Sequence, residues 1–167
     1  VRDLVDRALS IAVREIGIRE VGRNRGPRVE EYLASVGLPP GNPWCAAFVH
    51  WCFARAAEDL ERERAACFDV LAPRTGGVHK MWRRIPEKYR QRHPTVGALF
   101  FHNAGAGMGH VGFVKEVLSQ DRFSTVEGNT DDVGSREGDG VRSKSRPGSY
   151  VNLGFVDFAR DWEPAVA

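Results

Sequence analysis

Three residue types needed for nucleophilic acyl transfer stand in three short segments. A cysteine lies in GNPWCAAFVHWC (41–52), a histidine opens HVGFVKEV (110–117), and a carboxylate sits in VEGNT (126–130). In such chemistry a thiolate attacks, an imidazole carries the proton, and a third polar group orients the imidazole. Asn42 is a good N-cap and Pro43 a good first helical residue, which predicts a helix over 42–57 with Cys45 as its third residue. At that position the positive end of the helix dipole favours the thiolate. The Cys45 backbone N–H also lacks an intrahelical partner, so it can point at a developing oxyanion. The competing reading makes Cys45 a small buried hydrophobe.

The base must come from His50, His79, His93, His102 or His110. His50 follows Cys45 by five residues, about 140° around the helix, and cannot face the same substrate. His79 and His93 flank the basic segment KMWRRIPEKYRQR and read as surface residues. His102 sits at a strand end and remains a candidate. His110 follows the Gly-rich NAGAGMG turn, which leaves room for substrate, and is the favoured base. Glu127 and Asn129 are two apart, so on a strand both project from one face. Pairing their strand with the His110 strand places a carboxylate and an amide beside the imidazole. The plainer alternative for that pair is a strand end leading into a turn. Trp44, adjacent to the cysteine, is a candidate substrate contact.

The elements that must position these residues divide the chain in two. VRDLVDRALSIAVREIG places Leu4, Val5, Ala8, Ile11, Ala12 and Ile16 at helical spacing, with Gly17 as a stop. GPRVEEYLASVGL predicts a second helix, with Pro27 near its start and Gly37 past its end. The third carries a stripe of Cys45, Phe48, Val49, Cys52, Phe53 and Ala56, and EDLERERAA reads as its solvated end or a further helix. Beyond Pro94, TVGALFFHN, HVGFVKEVL, RFSTVEGN and VNLGFVDFA are short, β-rich and separated by Gly-rich turns, which predicts antiparallel strands. Helices followed by strands indicate an α+β fold in a single domain over 1–167.

Composition narrows the function classes. The chain has 24 basic and 22 acidic residues, a net charge of +2, which is not the strongly basic footprint of a nucleic-acid binder. No apolar run reaches membrane-spanning length. The chain opens without Met, which leaves room for an upstream signal segment and keeps export open. Cys45, Cys52 and Cys67 lack zinc-site spacing, and DDVGSREGDG misses the calcium-loop pattern after its first residue, so no metal and no cofactor are expected. Along a continuous helix Cys52 and Cys67 would lie about 22 Å apart, so both are expected to be free thiols. The basic segment reads as a solvated face, with an anionic glycan as the alternative partner.

The order and separations of GNPWCAAFVHWC, GHVGFV and VEGNT resemble the CHAP domains, cysteine, histidine-dependent amidohydrolases and peptidases of the papain-like class. The upstream NRGPRVEEYLASVGLPPG is similar to the segment preceding the cysteine in bacterial members, and the resemblance covers about 20–157. One departure is Ala98, where the family's corresponding strand has Asp after Gly. The resemblance implies a papain-like fold, with the nucleophile at a helix N-terminus packed on a C-terminal antiparallel sheet. It implies Cys45 as nucleophile, His110 as general base and then acid, Glu127 as orienter, and Asn129 as an auxiliary polar group. It further implies a peptidoglycan substrate, cleaved as an amidase or endopeptidase, and a periplasmic or extracellular location. Some phage members bind calcium through aspartates before the cysteine. Residues 20–44 hold no Asp here, so that site does not carry over. A monomer is expected, and any inhibitor or immunity protein is unknown. The competing functions are a thiol amidase acting on a small peptide conjugate and a non-catalytic cell-wall-binding module.

Overall fold

A computed structural model describes residues 1–60, 71–131 and 138–159. Among them, helices α1 (Arg2–Arg14), α2 (Pro27–Ser35), α3 (Cys45–Asp59) and α4 (Val78–Arg84) precede six strands. These are β1 (Arg90–Gln91), β2 (Leu99–Gly105), β3 (Met108–Ser119), β4 (Arg122–Thr130), β5 (Gly140–Pro147) and β6 (Gly154–Val156). They form one antiparallel sheet in the order β1-β6-β2-β3-β4-β5. The expected α+β class, with N-terminal helices packed on a C-terminal antiparallel sheet, is the one observed.

The helical stripe of α1 buries Leu4, Val5, Ala8, Ile11 and Ala12. Ile16, expected on that stripe, lies beyond the helix and is 39% exposed. Helix α2 begins with Pro27 at its first position, where a missing N–H costs nothing. Gly37, just past its end, adopts φ 74°, a left-handed value that glycine accepts without strain. Helix α3 departs from the expected stripe, because every residue from Cys45 to Phe53 is buried. It packs against α1 and α2 as well as β3 and β4, and a helix covered all round is apolar all round.

Alternation along the strands sorts the sheet into two faces. Leu99, Phe101, Val111, Phe113 and Val126 join the helices in the main core. Ala98, Phe100, Val114, Phe123 and Phe155 form a second cluster, against which Tyr150 and Val151 pack. Three elements were not legible in the sequence: α4, the short β1 and, most consequentially, β5. The backbone near Ile18 adds to the β5 edge through Val141 N to Ile18 O at 2.9 Å and Glu20 N to Asp139 O at 2.7 Å. Among the described residues no helix is long and apolar enough to cross a membrane. Cys67, most of EDLERERAA and most of DDVGSREGDG lie outside the described residues.

Candidate active site

Helix α3 starts two residues later than the sequence predicts, so Cys45 is its first residue rather than its third. The reason lies in the preceding turn. Asn42 does not cap the helix, because its Nδ2 donates to Pro39 O at 2.9 Å. Gly41, at φ 95°, donates its N–H to Asn24 O at 2.9 Å and closes the chain back on the segment before α2. The first α3 bond runs from Phe48 N to Trp44 O at 2.8 Å. The amides of Cys45, Ala46 and Ala47 therefore have no intrahelical partner. The oxyanion role expected of the Cys45 N–H is compatible with this later start.

Strand β4 reaches the start of α3 at Gly128. A Cβ there would lie 2.8 Å from Phe48 and 2.8 Å from Trp44, both wholly buried. Glycine is thus required for the carboxylate-bearing strand to approach the cysteine-bearing helix. Gly128→Ala is expected to destabilise the fold by about 1–3 kcal/mol, the usual cost of overpacking a filled core. A denaturant midpoint equal to wild type would refute this close approach.

The imidazole and the carboxylate meet on neighbouring strands. His110 Nε2 lies 2.9 Å from Glu127 Oε2, with His110 2% and Glu127 0% exposed. Burial pushes the Glu127 carboxyl up, but bonds from Arg146 and His110 overcome it and hold the group down at about 2. An ionised carboxylate only accepts, so Nε2 carries the proton it shares with Glu127. The other ring nitrogen, Nδ1, is buried and has no partner at ordinary hydrogen-bond geometry among the described residues. Burial alone would push His110 down; Cys45 and then Glu127 more than offset it and raise the ring to about 9. Cys45, 3% exposed, is close enough to the imidazole to favour its charged form alongside Glu127.

Other residues fall differently. Trp44, expected to contact substrate, is 0% exposed. Its Nε1 donates to Glu20 Oε1 at 2.7 Å and its ring stacks on Tyr32 at 5.3 Å, so it packs into the core next to Cys45 in the chain. The contact expected of Trp44 is corrected on that ground. Asn129 is buried, and a bulge between Glu127 and Thr130 interrupts the simple alternation that would set it beside Glu127. It adopts φ 57°, and its Oδ1 has no hydrogen-bond partner among the described residues. No hydrogen bond joins it to His110 among the described residues.

The remaining histidines are engaged elsewhere. His50 is buried and its Nδ1 donates to Ala72 O at 2.8 Å, while His79 Nε2 donates to Met108 O at 2.9 Å. His102 lies directly across from His110 in the β2–β3 register. Its Nδ1 donates to Tyr150 O at 2.6 Å and its ring stacks on Tyr150 at 4.3 Å. Cys45 and Cys52 are free thiols, and burial pushes the Cys52 thiol up. Among the described residues no group of three or more His, Cys, Asp or Glu gathers in a metal-holding cluster.

Sequence reasoning missed Arg146 and Thr125. Arg146 on β5 donates to both carboxylate oxygens of Glu127, Nε to Oε1 at 2.9 Å and Nη2 to Oε2 at 2.6 Å. Thr125 Oγ1 donates to Oε1 at 2.6 Å. One signal was available: a carboxylate on a core-facing strand position demands a counter-charge, and GVRSKSRP carries three cations and no acid. The sequence model described as CHAP domain matches residues 37–129, more than half of the chain and inclusive of Cys45, His110 and Glu127. No curated protein and no solved structure matches.

Proposed function

The chain belongs to the CHAP domain family, and on that premise we propose that it is a cysteine hydrolase cleaving amide bonds in the peptide stem of peptidoglycan. The observation that carries this reading is the buried His110–Glu127 pair beside a cysteine at the first position of α3. The thiolate of Cys45 attacks the amide carbonyl, and the carbonyl oxygen becomes an oxyanion that the free amides at the start of α3 receive. The His110 imidazolium gives its Nδ1 proton to the leaving amine, the C–N bond breaks, and a thioester to Cys45 remains. Neutral His110 then takes a proton from water, whose oxygen attacks the thioester; the acid leaves and the thiolate returns. Glu127 holds Nε2–H throughout, which keeps Nδ1 turned toward sulfur.

The bond broken is either the link to the sugar lactyl group or one between amino acids. Since that polymer lies outside the cytoplasmic membrane, the proposed site of action is periplasmic or extracellular. Mass spectrometry of muropeptides after digestion of purified sacculi tests activity and bond together. Free stem peptides identify an amidase, shortened or uncrosslinked stems an endopeptidase. An unchanged polymer overturns the proposal.

The chemistry assigned to these residues needs no metal. Residues 20–44 hold no aspartate to serve as a calcium donor before the cysteine. EDTA is expected to leave the rate of sacculus digestion unchanged. Inactivation by EDTA with recovery in calcium would redirect attention to the acidic segment 131–139.

A further inference from the structure

The carboxylate of Glu127 is saturated. Its four acceptor sites take Thr125 Oγ1 and Arg146 Nε on Oε1, and Arg146 Nη2 and His110 Nε2 on Oε2. Arg146 is itself buried, 9% exposed, and its guanidinium lies 4.2 Å over the Tyr150 ring. Tyr150 in turn stacks on His102, so the arginine is fixed on its far side by a packed column. We infer that Arg146 is a positioning residue that supplies the second positive charge of a buried four-charge site, allowing Glu127 and the Cys45 thiolate to be anionic together.

The argument is one of charge balance in a medium where unbalanced charge is costly. Cys45 from α3 and Glu127 from β4 are the two anions; His110 from β3 and Arg146 from β5 are the two cations. Other charged or titratable groups near them do not substitute. Burial pushes the Tyr150 phenol up to about 12, so it is neutral there. Asp131 bears on Arg146 and, as an anion, supplies no balancing positive charge. Arg142, the neighbouring cation on β5, pairs with Asp139 at 2.8 Å. Without Arg146, His110 is one positive charge between two anions. Glu127 would keep its bonds from Thr125 and His110, so the proton would settle on sulfur. The bidentate fork adds geometry to charge, because it stops the carboxylate rotating away from Nε2.

This inference rests on Cys45 being the nucleophile but not on which polymer is cut. Its test is therefore alkylation by iodoacetamide, in which sulfur bonds to the methylene carbon and iodide leaves. The rate at Cys45, followed by peptide mapping against pH, reads the thiolate directly. Arg146→Met is expected to slow labelling near pH 6 by at least about tenfold, moving the acid limb upward, as loss of a balancing cation does. Arg146→Lys keeps the charge, so its acid limb is expected to stay near wild type while sacculus turnover falls. The double variant Glu127→Gln/Arg146→Met removes one anion with one cation, so its labelling at pH 6 should return to the wild-type rate or above. An unmoved limb in Arg146→Met, or a double variant as slow as Arg146→Met, overturns the inference. If Arg146→Met does not fold, the other two decide: a limb displaced upward in both overturns it, and near-wild-type limbs in both support it. Sacculi left undigested by an enzyme that labels as expected would sink the proposed substrate and leave this inference standing.

Discussion

Replacing Cys45 with serine is expected to lower kcat/KM on sacculi by at least about 10³-fold, or about 4 kcal/mol of transition-state stabilisation. The change swaps one atom at a position that is 3% exposed and lies at the first turn of α3, so packing and helix start are kept. What is lost is the anion. A serine hydroxyl beside the same imidazole stays protonated, so the proposed thiolate–imidazolium pair has no counterpart. Because the amides at the start of α3 and the Glu127–His110 contact persist, residual turnover reports their contribution alone. Cooperative thermal unfolding at an unchanged midpoint would confirm that the fold survives. Activity within a few-fold of wild type would remove Cys45 from the mechanism.

The second large effect is expected at His110. His110→Ala should reduce turnover by about 10²–10⁴-fold, the usual contribution of a positioned acid and base. The pH dependence follows from the raised ring. The charged form, favoured by Cys45 and Glu127 against burial, exists below about 9 and is lost as pH rises through that value. Wild-type kcat/KM should therefore fall on the alkaline side near 9, well above the free imidazole value of about 6.5. Glu127, held at about 2, is ionised throughout the working range and adds no acid limb of its own. In the alanine variant the alkaline limb should vanish and iodoacetamide labelling of Cys45 near pH 6 should slow. Retention of that limb would transfer the base role to His102, the residue directly across the sheet.

Much of the site was legible because its residues lie in short segments with strong local rules. A cysteine after Asn-Pro-Trp, before an apolar run, announces a helix start, and a histidine after a Gly-rich turn announces a strand. The turn before α3 shows the limit of such rules. Asn42 has the chemistry of an N-cap, yet its side chain closes onto Pro39, and the helix begins at Cys45. Trp44 shows another limit. Adjacency to the nucleophile made it a substrate contact, whereas Glu20 and Tyr32, distant in sequence, draw it into the core.

The sequence by itself determined the α+β order, the place of Cys45 at a helix start, and the candidate histidine and carboxylate on strands. Each follows from periodicity, turn chemistry or capping, which act over a few residues. Only the tertiary structure decided what neutralises the carboxylate. Strand β5 was invisible because GVRSKSRP lacks apolar alternation. Its site-facing position at Arg146 is filled by a charge whose partner lies on β4, so the side chain that makes the strand fit is one that hydropathy reads as solvent-facing. Burial of such a charge is favourable only once Glu127 stands opposite it, and that pairing across 19 residues exists in space rather than in the local pattern.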